Sequence, residues 1–405
     1  MNFKTRMITH EVISGLGFGL FLAVQGIFFL EKGMDLWMIG IISGTLGVAA
    51  SMFELPFGAA ADIHGRIKIF RISVTVIIAS FIIAVLSTEF WHLLVVAVLM
   101  GLGIALRSGS VDAWVVEQIN EQGQVDKLQS HLGTYQASMA AGMAVGAIGG
   151  GYIPAYMPHT DLFNPTSWNL LLIIALSIFH LLISPYLFSE GERIPSPDEH
   201  DGIKGQMKKA IKFAIASPVI RDLLILAATI GLTMATLDTY WQIRLTEITI
   251  QPSYIAFGWI TAGYFAMAIM GPMLINMISE ALNISPNVQV KVLPILLGVV
   301  LYVLATRANF GPFIAVYLTF MLVMSMIGPP SETLLNNATA DNIRSTMQSV
   351  SSFVMRVGGA ISAFGFAYLI KILGVSTTWA IIAAIAVAIG LLRIVMGMIS
   401  SKTDT

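Results

Sequence analysis

Gly58 to Lys68 reads GAAADIHGRIK, and between Asp62 and Lys68 it gathers an acid, a His, an Arg and a Lys. Apolar stretches flank this run on both sides. Each is long enough to cross a bilayer, since a helix needs roughly 20 mostly apolar residues to span the hydrocarbon core. The run therefore reads as a tight polar turn between two membrane segments. The whole chain has the same character: 56% of its 405 residues are hydrophobic and 11% charged, with a mean hydropathy of +0.81, whereas soluble domains carry about 25% charged residues. Working outward from the turn, twelve such segments can be read, at 12–30, 37–61, 69–88, 91–116, 130–156, 167–188, 219–241, 253–278, 288–306, 311–333, 346–372 and 376–399. In lipid every backbone polar group must be satisfied within the segment, so the expected fold class is an all-α membrane protein with twelve transmembrane helices.

Lys4 and Arg6 before the first apolar run resemble a secretory signal, but the run is too long and lacks a small-x-small cleavage site, so it is expected to stay as helix 1. With the N-terminus in the cytoplasm, only Lys32, Arg244, Arg307 and Lys371 fall outside and Arg107 and Arg356 within helices. The rest of the 22 Lys and Arg lie inside, and the positive-inside rule then places both termini in the cytoplasm of a cell membrane, the bacterial inner membrane fitting best. The net charge of −1 leaves no basic stripe for nucleic acid, and the absence of Cys excludes disulfide and thiol chemistry.

The longest polar interval, SEGERIPSPDEHDGIKGQMKKAIKF at 189–213, separates six predicted helices from six. The expected organisation is an N-terminal six-helix bundle at 1–189, a cytoplasmic central loop at 190–217 and a C-terminal bundle at 218–405. Lys204, Lys208 and Lys212 recur every four residues in the loop, the pattern of a helix on an anionic leaflet or of a solvated linker. The halves also echo each other. DAWVVEQINEQGQVDKLQS from Asp112 and ETLLNNATADNIRSTMQS from Glu332 both set an acid at the end of a helix and a Gln-Ser pair before the next, at the junctions of helices 4 and 5 and of helices 10 and 11. Duplication and a parallel 6+6 architecture follow.

Gly58, Asp62, Gly65 and Arg66 now fit a known pattern. They resemble motif A of the major facilitator superfamily, G-x-x-x-D-x-x-G-R-K/R-x-K/R, with Ile67 where a cation is usual and Lys68 one place on. The resemblance extends over essentially the whole chain and implies a secondary transporter. It also implies a latch: Asp62 can accept hydrogen bonds from the N-terminal end of helix 11 near Thr346, while Arg66 holds an acid on helix 4, Asp112 first and Glu117 second. Such contacts would favour the outward-open state.

Glycines 133, 142, 146, 150 and 151 on helix 5 resemble antiporter motif C, G-x8-G-x3-G-P-x2-G-G, apart from Ala147 at the Pro position. Small residues four apart are also the commonest transmembrane packing interface, which accounts for Gly142, Gly146 and Gly150 by themselves. The full spacing points to an exporter. Helix 4 departs from motif B of proton-coupled members, with Ala97 and Met100 at the Arg and Gln positions; Arg107, deeper in the helix, is a substitute or a structural cation.

Ionisable side chains inside lipid cost a few kcal/mol each and are functional suspects. Glu54, Asp112 and Glu332 are the proton-coupling candidates, Asp112 being equally a latch partner and Glu332 its counterpart in the second half. Arg107 and Arg356 are the intramembrane cations, and His180 reads as a packed or interfacial histidine. Gln25, Tyr135, Gln136, Trp259 and Tyr264 are cavity candidates, and 22 Met with 22 Phe suit an adaptable site for hydrophobic or amphipathic compounds. No constellation for an intramembrane enzyme, a metal or a cofactor is visible. The expected protein is a monomeric, proton-coupled exporter whose partners are a small-molecule substrate, protons and lipid. A nutrient symporter or facilitator and a non-transporting membrane sensor are the alternatives.

Overall fold

A computed structural model describes residues 2–108, 110–123, 127–160, 162–188, 212–249, 253–339 and 343–403, and for 55–63, 108, 112, 113, 129, 345 and 397–403 it describes the backbone alone. Every regular element among these residues is helical. Two compact units emerge: Met1–Ile194 together with Ile250–Phe265, and Pro195–Thr249 together with Ala266–Thr405. Most of the 190–217 interval, including Lys204 and Lys208, lies outside the described residues; 212–216 is helical.

The first unit contains α1 (Phe3–Leu22), α2 (Gln25–Glu31), α3 (Leu36–His64), α4 (Arg66–Leu86), α5 (Phe90–Ser108), α6 (Val111–Glu121), α7 (Leu128–Tyr156) and α8 (Ser167–Leu187). Helix 1 starts at Phe3 and not at residue 12, because Asn2 caps it: its Oδ1 accepts the Thr5 amide at 2.8 Å. His10 and Glu11, which read as a polar flank, thus lie two turns inside the helix. The segment then breaks by 49° between α1 and α2. At the break the Val24 amide bonds the Phe21 carbonyl at 3.0 Å, which frees the Leu20 carbonyl. Asn169 on α8, fully buried, takes up that carbonyl at 3.1 Å and the Gly150 carbonyl of α7 at 2.8 Å. One amide therefore satisfies a broken helix and ties three helices together.

The seam between α1 and α7 is built from glycine on both sides. A Cβ at Gly19 would stand 2.1 Å from the Met143 carbonyl oxygen, and one at Gly146 2.3 Å from that of Leu16. Only hydrogen fits there, so the backbones meet directly.

The second unit holds α9 (Pro218–Ile248), most of α10 (Tyr254–Leu282), α11 (Pro286–Ala305), α12 (Phe310–Met326), α13 (Gly328–Ala338), α14 (Arg344–Ala360), a π turn at Ile361–Gly365 and α15 (Phe366–Thr403). It repeats the plan of the first. α9 meets α14 as α1 meets α7, with Gly231 against the Met355 carbonyl and Gly358 against that of Ala228. Helices 4 and 10, each read as one continuous segment, both end in a short separate amphipathic helix, α6 and α13. Among the described residues nine helices are long and apolar enough to cross a membrane, ten with the bent α1–α2 pair. The run from Thr346 to Met396 counts once in that total, although Gly374 with φ 80° and ψ 167° divides it into two helices, and α7 is 29 residues long but diluted by Gly, Ser, Thr and Gln. These are the twelve crossings of a membrane protein of two six-helix bundles.

Candidate functional site

The opening turn is a one-residue joint. His64 ends α3, Gly65 adopts φ 104°, ψ 125°, and Arg66 starts α4. That backbone conformation is strained for any residue with a Cβ, which explains the glycine. Arg66 donates from Nη1 to Glu117 Oε2 on α6 at 2.7 Å, so the second-ranked acid is a partner of Arg66. The side chains of Gly58, Asp62 and Asp112 fall outside the described ones, and Lys68 is exposed. Arg71, one turn further, donates from Nε to Ser184 Oγ of α8 at 3.0 Å.

A buried polar cluster lies inward of this turn. Glu11 has no exposed surface, His10 is 1% and His180 4% exposed. His10 Nδ1 and His180 Nε2 share a hydrogen bond of 2.9 Å, and His10 Nε2 stands 3.3 Å from Glu11 Oε1. The rings of Phe70 and Phe188 enclose the pair, their centroids 5.2 and 5.1 Å from that of His10. Arg107, the penultimate residue of α5, lies within electrostatic range of both imidazoles and points Nη2 at Met139 Sδ, 3.7 Å away on α7. Sequence reading missed His10 and Glu11 because it began the helix after them. The capping Asn2 was the signal that could have shown otherwise.

A second polar cluster closes the other end of α1–α2. Glu31 Oε1 accepts the Tyr254 hydroxyl at 2.6 Å, while Oε2 accepts the amide and hydroxyl of Thr166. Asn164 Nδ2 donates to the Glu31 carbonyl at 2.8 Å. Tyr254 opens α10, and below it Gly258 and Gly151 of α7 approach so closely that a Cβ on Gly151 would lie 2.6 Å from the Tyr254 carbonyl oxygen. The motif C glycines thus divide by role: Gly142, Gly146 and Gly150 face α1, Gly151 faces α10, and Gly133 has nothing within 4 Å of its Cβ direction.

The remaining candidates are scattered. Glu54 and Arg356 are partly buried and Glu332 is exposed. Tyr135 packs in the apolar cluster of Phe3, Phe70, Trp114 and Phe188. Tyr264 packs around Ala23 and Val24 with Phe265, beside the break that Gln25 follows; Gln136 and Trp259 are exposed. In the second unit Arg393, 3% exposed, forms a two-pronged pair with Asp222 at 2.7 and 2.9 Å.

Two repeated six-helix units, broken helices and polar groups buried among apolar side chains are features of membrane transporters. The chain belongs to the Major Facilitator Superfamily, whose family model matches residues 11–363. It is 23% identical over 383 residues to an uncharacterized MFS-type transporter, YxaM, of Bacillus subtilis (strain 168), covering 93% of this chain and 91% of that one. Among solved structures it is similar to the nucleoside transporter NupG, with a TM-score of 0.80 at 14% identity over 98% of this chain and 99% of that one. It is also similar to a bacterial homolog of the human lysosomal transporter Spinster in an inward-facing, unoccupied conformation, with a TM-score of 0.75 at 14% identity and 96% of both chains covered. A POT family transporter in complex with 5-aminolevulinic acid gives a TM-score of 0.75 at 14% identity, over 97% and 95% of the two chains. The chain is therefore a multi-pass membrane transporter, with a fold consistent with secondary transport by alternating access.

Proposed function

We propose that this transporter is a proton-coupled exporter of hydrophobic or amphipathic small molecules. The observation that carries the reading is the glycine run of α7. Three of its members serve ordinary helix packing, but Gly151 is used differently, holding the first turns of α10 against α7 at backbone contact. The rest of α10 groups with the second unit, so this helix belongs partly to each. The run as a whole carries the spacing of the exporter motif. For proton coupling the sequence offers Glu54 and Asp112 as first candidates and Glu332 as the third. The Arg66–Glu117 pair supports the latch reading of the opening turn. The site works as a monomer in the cell membrane, with both termini cytoplasmic.

Inverted membrane vesicles test this directly. With an inward-acid gradient imposed, they should accumulate ethidium, and a protonophore should abolish the accumulation. Accumulation of ethidium by intact cells instead of depletion would overturn export, and accumulation indifferent to the protonophore would overturn proton coupling.

A further inference from the structure

We propose that His180, His10 and Glu11 form a relay that carries a single proton through the core of the first unit, and that this relay is the proton-coupling site. The inference rests on the proton-coupled reading above. Its physical basis is the setting of the His10 ring, whose Nδ1 shares a hydrogen bond with His180 at 2.9 Å and whose buried Nε2 stands 3.3 Å from Glu11 Oε1, near but not hydrogen-bonded to it. Two ring nitrogens 2.9 Å apart require one hydrogen between them: with none the lone pairs repel, and with two the hydrogens collide.

That constraint fixes two states. In the first, Glu11 is a carboxylate, His10 carries its hydrogen on Nε2, and His180 donates its Nε2–H to His10 Nδ1. A proton arriving at His180 Nδ1 makes an imidazolium, which passes its Nε2 hydrogen to His10 Nδ1. A turn of the His10 ring that brings Nε2 into line with Glu11 Oε1, 3.3 Å away, then lets it give its Nε2 hydrogen to the carboxylate. The outcome is a neutral acid and two neutral rings with their tautomers exchanged, and the hydrogen between the rings now belongs to His10. One proton has entered, none has been lost, and the cluster has gone from one negative charge to none.

The surroundings suit this exchange. Phe70 and Phe188 exclude water from the rings. Among the described side chains, the elements around the cluster carry these charged groups: on α5, Arg107, in range of both rings; on α4, Arg71, bonded to Ser184 one turn from His180; on α1 itself, Arg6, with its Nε buried. On α7, His131 meets the ring of Phe3, and on α6 Glu117 is taken up by Arg66. Fixed positive charge from Arg107 thus acts on both rings of the relay. The next residue, Val12, lies in the glycine seam, its carbonyl oxygen 2.6 Å from where a Cβ on Gly142 would stand. Glu11 is therefore one residue along α1 from the α1–α7 contact.

Infrared difference titration of the purified full-length protein, without substrate, tests the relay apart from transport. Acidification should bring up the band of a buried protonated carboxyl, absent in Glu11→Gln. In His180→Gln and His10→Gln its midpoint should move by about one pH unit or more, with ring-nitrogen NMR of labelled histidine showing loss of the shared hydrogen bond. In vesicles Glu11→Gln should lose at least tenfold in gradient-driven ethidium uptake and keep downhill ethidium exchange. A carboxyl band that is missing in wild type, or that survives in Glu11→Gln with an unmoved midpoint in both histidine variants, overturns the relay. Should Glu11→Gln fail to fold by size exclusion, the wild-type titration and the His180→Gln midpoint still decide. If wild-type vesicles take up no ethidium while the titration behaves as described, the export reading falls and the proton relay stands.

Discussion

Gly133 and Gly146 occupy equivalent places in a sequence motif and opposite places in the molecule. A methyl group at Gly146 meets the Leu16 carbonyl oxygen at 2.3 Å, whereas one at Gly133 meets nothing within 4 Å. Gly146→Ala should therefore force α1 away from α7 and cost about 1–3 kcal/mol, seen as a lowered midpoint in thermal unfolding of the purified protein. Gly133→Ala should be neutral or gain up to about 1 kcal/mol, the helical preference of Ala over Gly. Spacing cannot separate these two glycines, because it records period and not what stands opposite. The same limit applies to the charged residues. Arg66 could be assigned two acids, Asp112 and Glu117, from sequence, and the geometry shows it on Glu117. His10 and Glu11 were hidden for another reason: polar side chains at the start of an apolar run read as a flank unless the capping residue before them is noticed.

Breaks are the features of the elements that hydropathy does not reveal. The twelve segments were legible because a run of about twenty apolar residues matches the thickness of the hydrocarbon core, but α1–α2, α5–α6, α12–α13 and the π turn after α14 stay apolar or amphipathic straight through the interruption. What identifies a break is a distant side chain that satisfies the freed backbone. Asn169 does so for the Leu20 carbonyl, and Asn169→Leu should leave two buried carbonyls without that donor. A loss of about 1–3 kcal/mol per unsatisfied group is expected, with hydrogen exchange rising at both α1 and α7. At the other end of the bundle, Tyr254→Phe removes a bond to a carboxylate at 2.6 Å. It should speed exchange across 254–265 and leave the remainder of α10 unchanged.

At the scale of the whole molecule, the orientation is read from the bias of Lys and Arg summed over many loops. A phosphatase fused at the C-terminus should be inactive, and activity there would reverse the assignment of both termini to the cytoplasm. The 6+6 plan was legible too, from the echo between the Asp112 and Glu332 stretches, and it reappears as the glycine seams of α1–α7 and α9–α14. The main boundary, between Ile194 and Pro195, falls within the polar interval at 189–213; less legible was a second one, because it follows packing. Residues 250–265 pack with the first unit although they follow a stretch of the second. The face of α7 at Gly151 therefore waits for its partner until the first turns of α10 have been made. A fragment ending at 217 carries the Gly151 face of α7 without the Gly258 face of α10 that meets it. Expressed alone it should be degraded, and co-expression with 218–405 should rescue it.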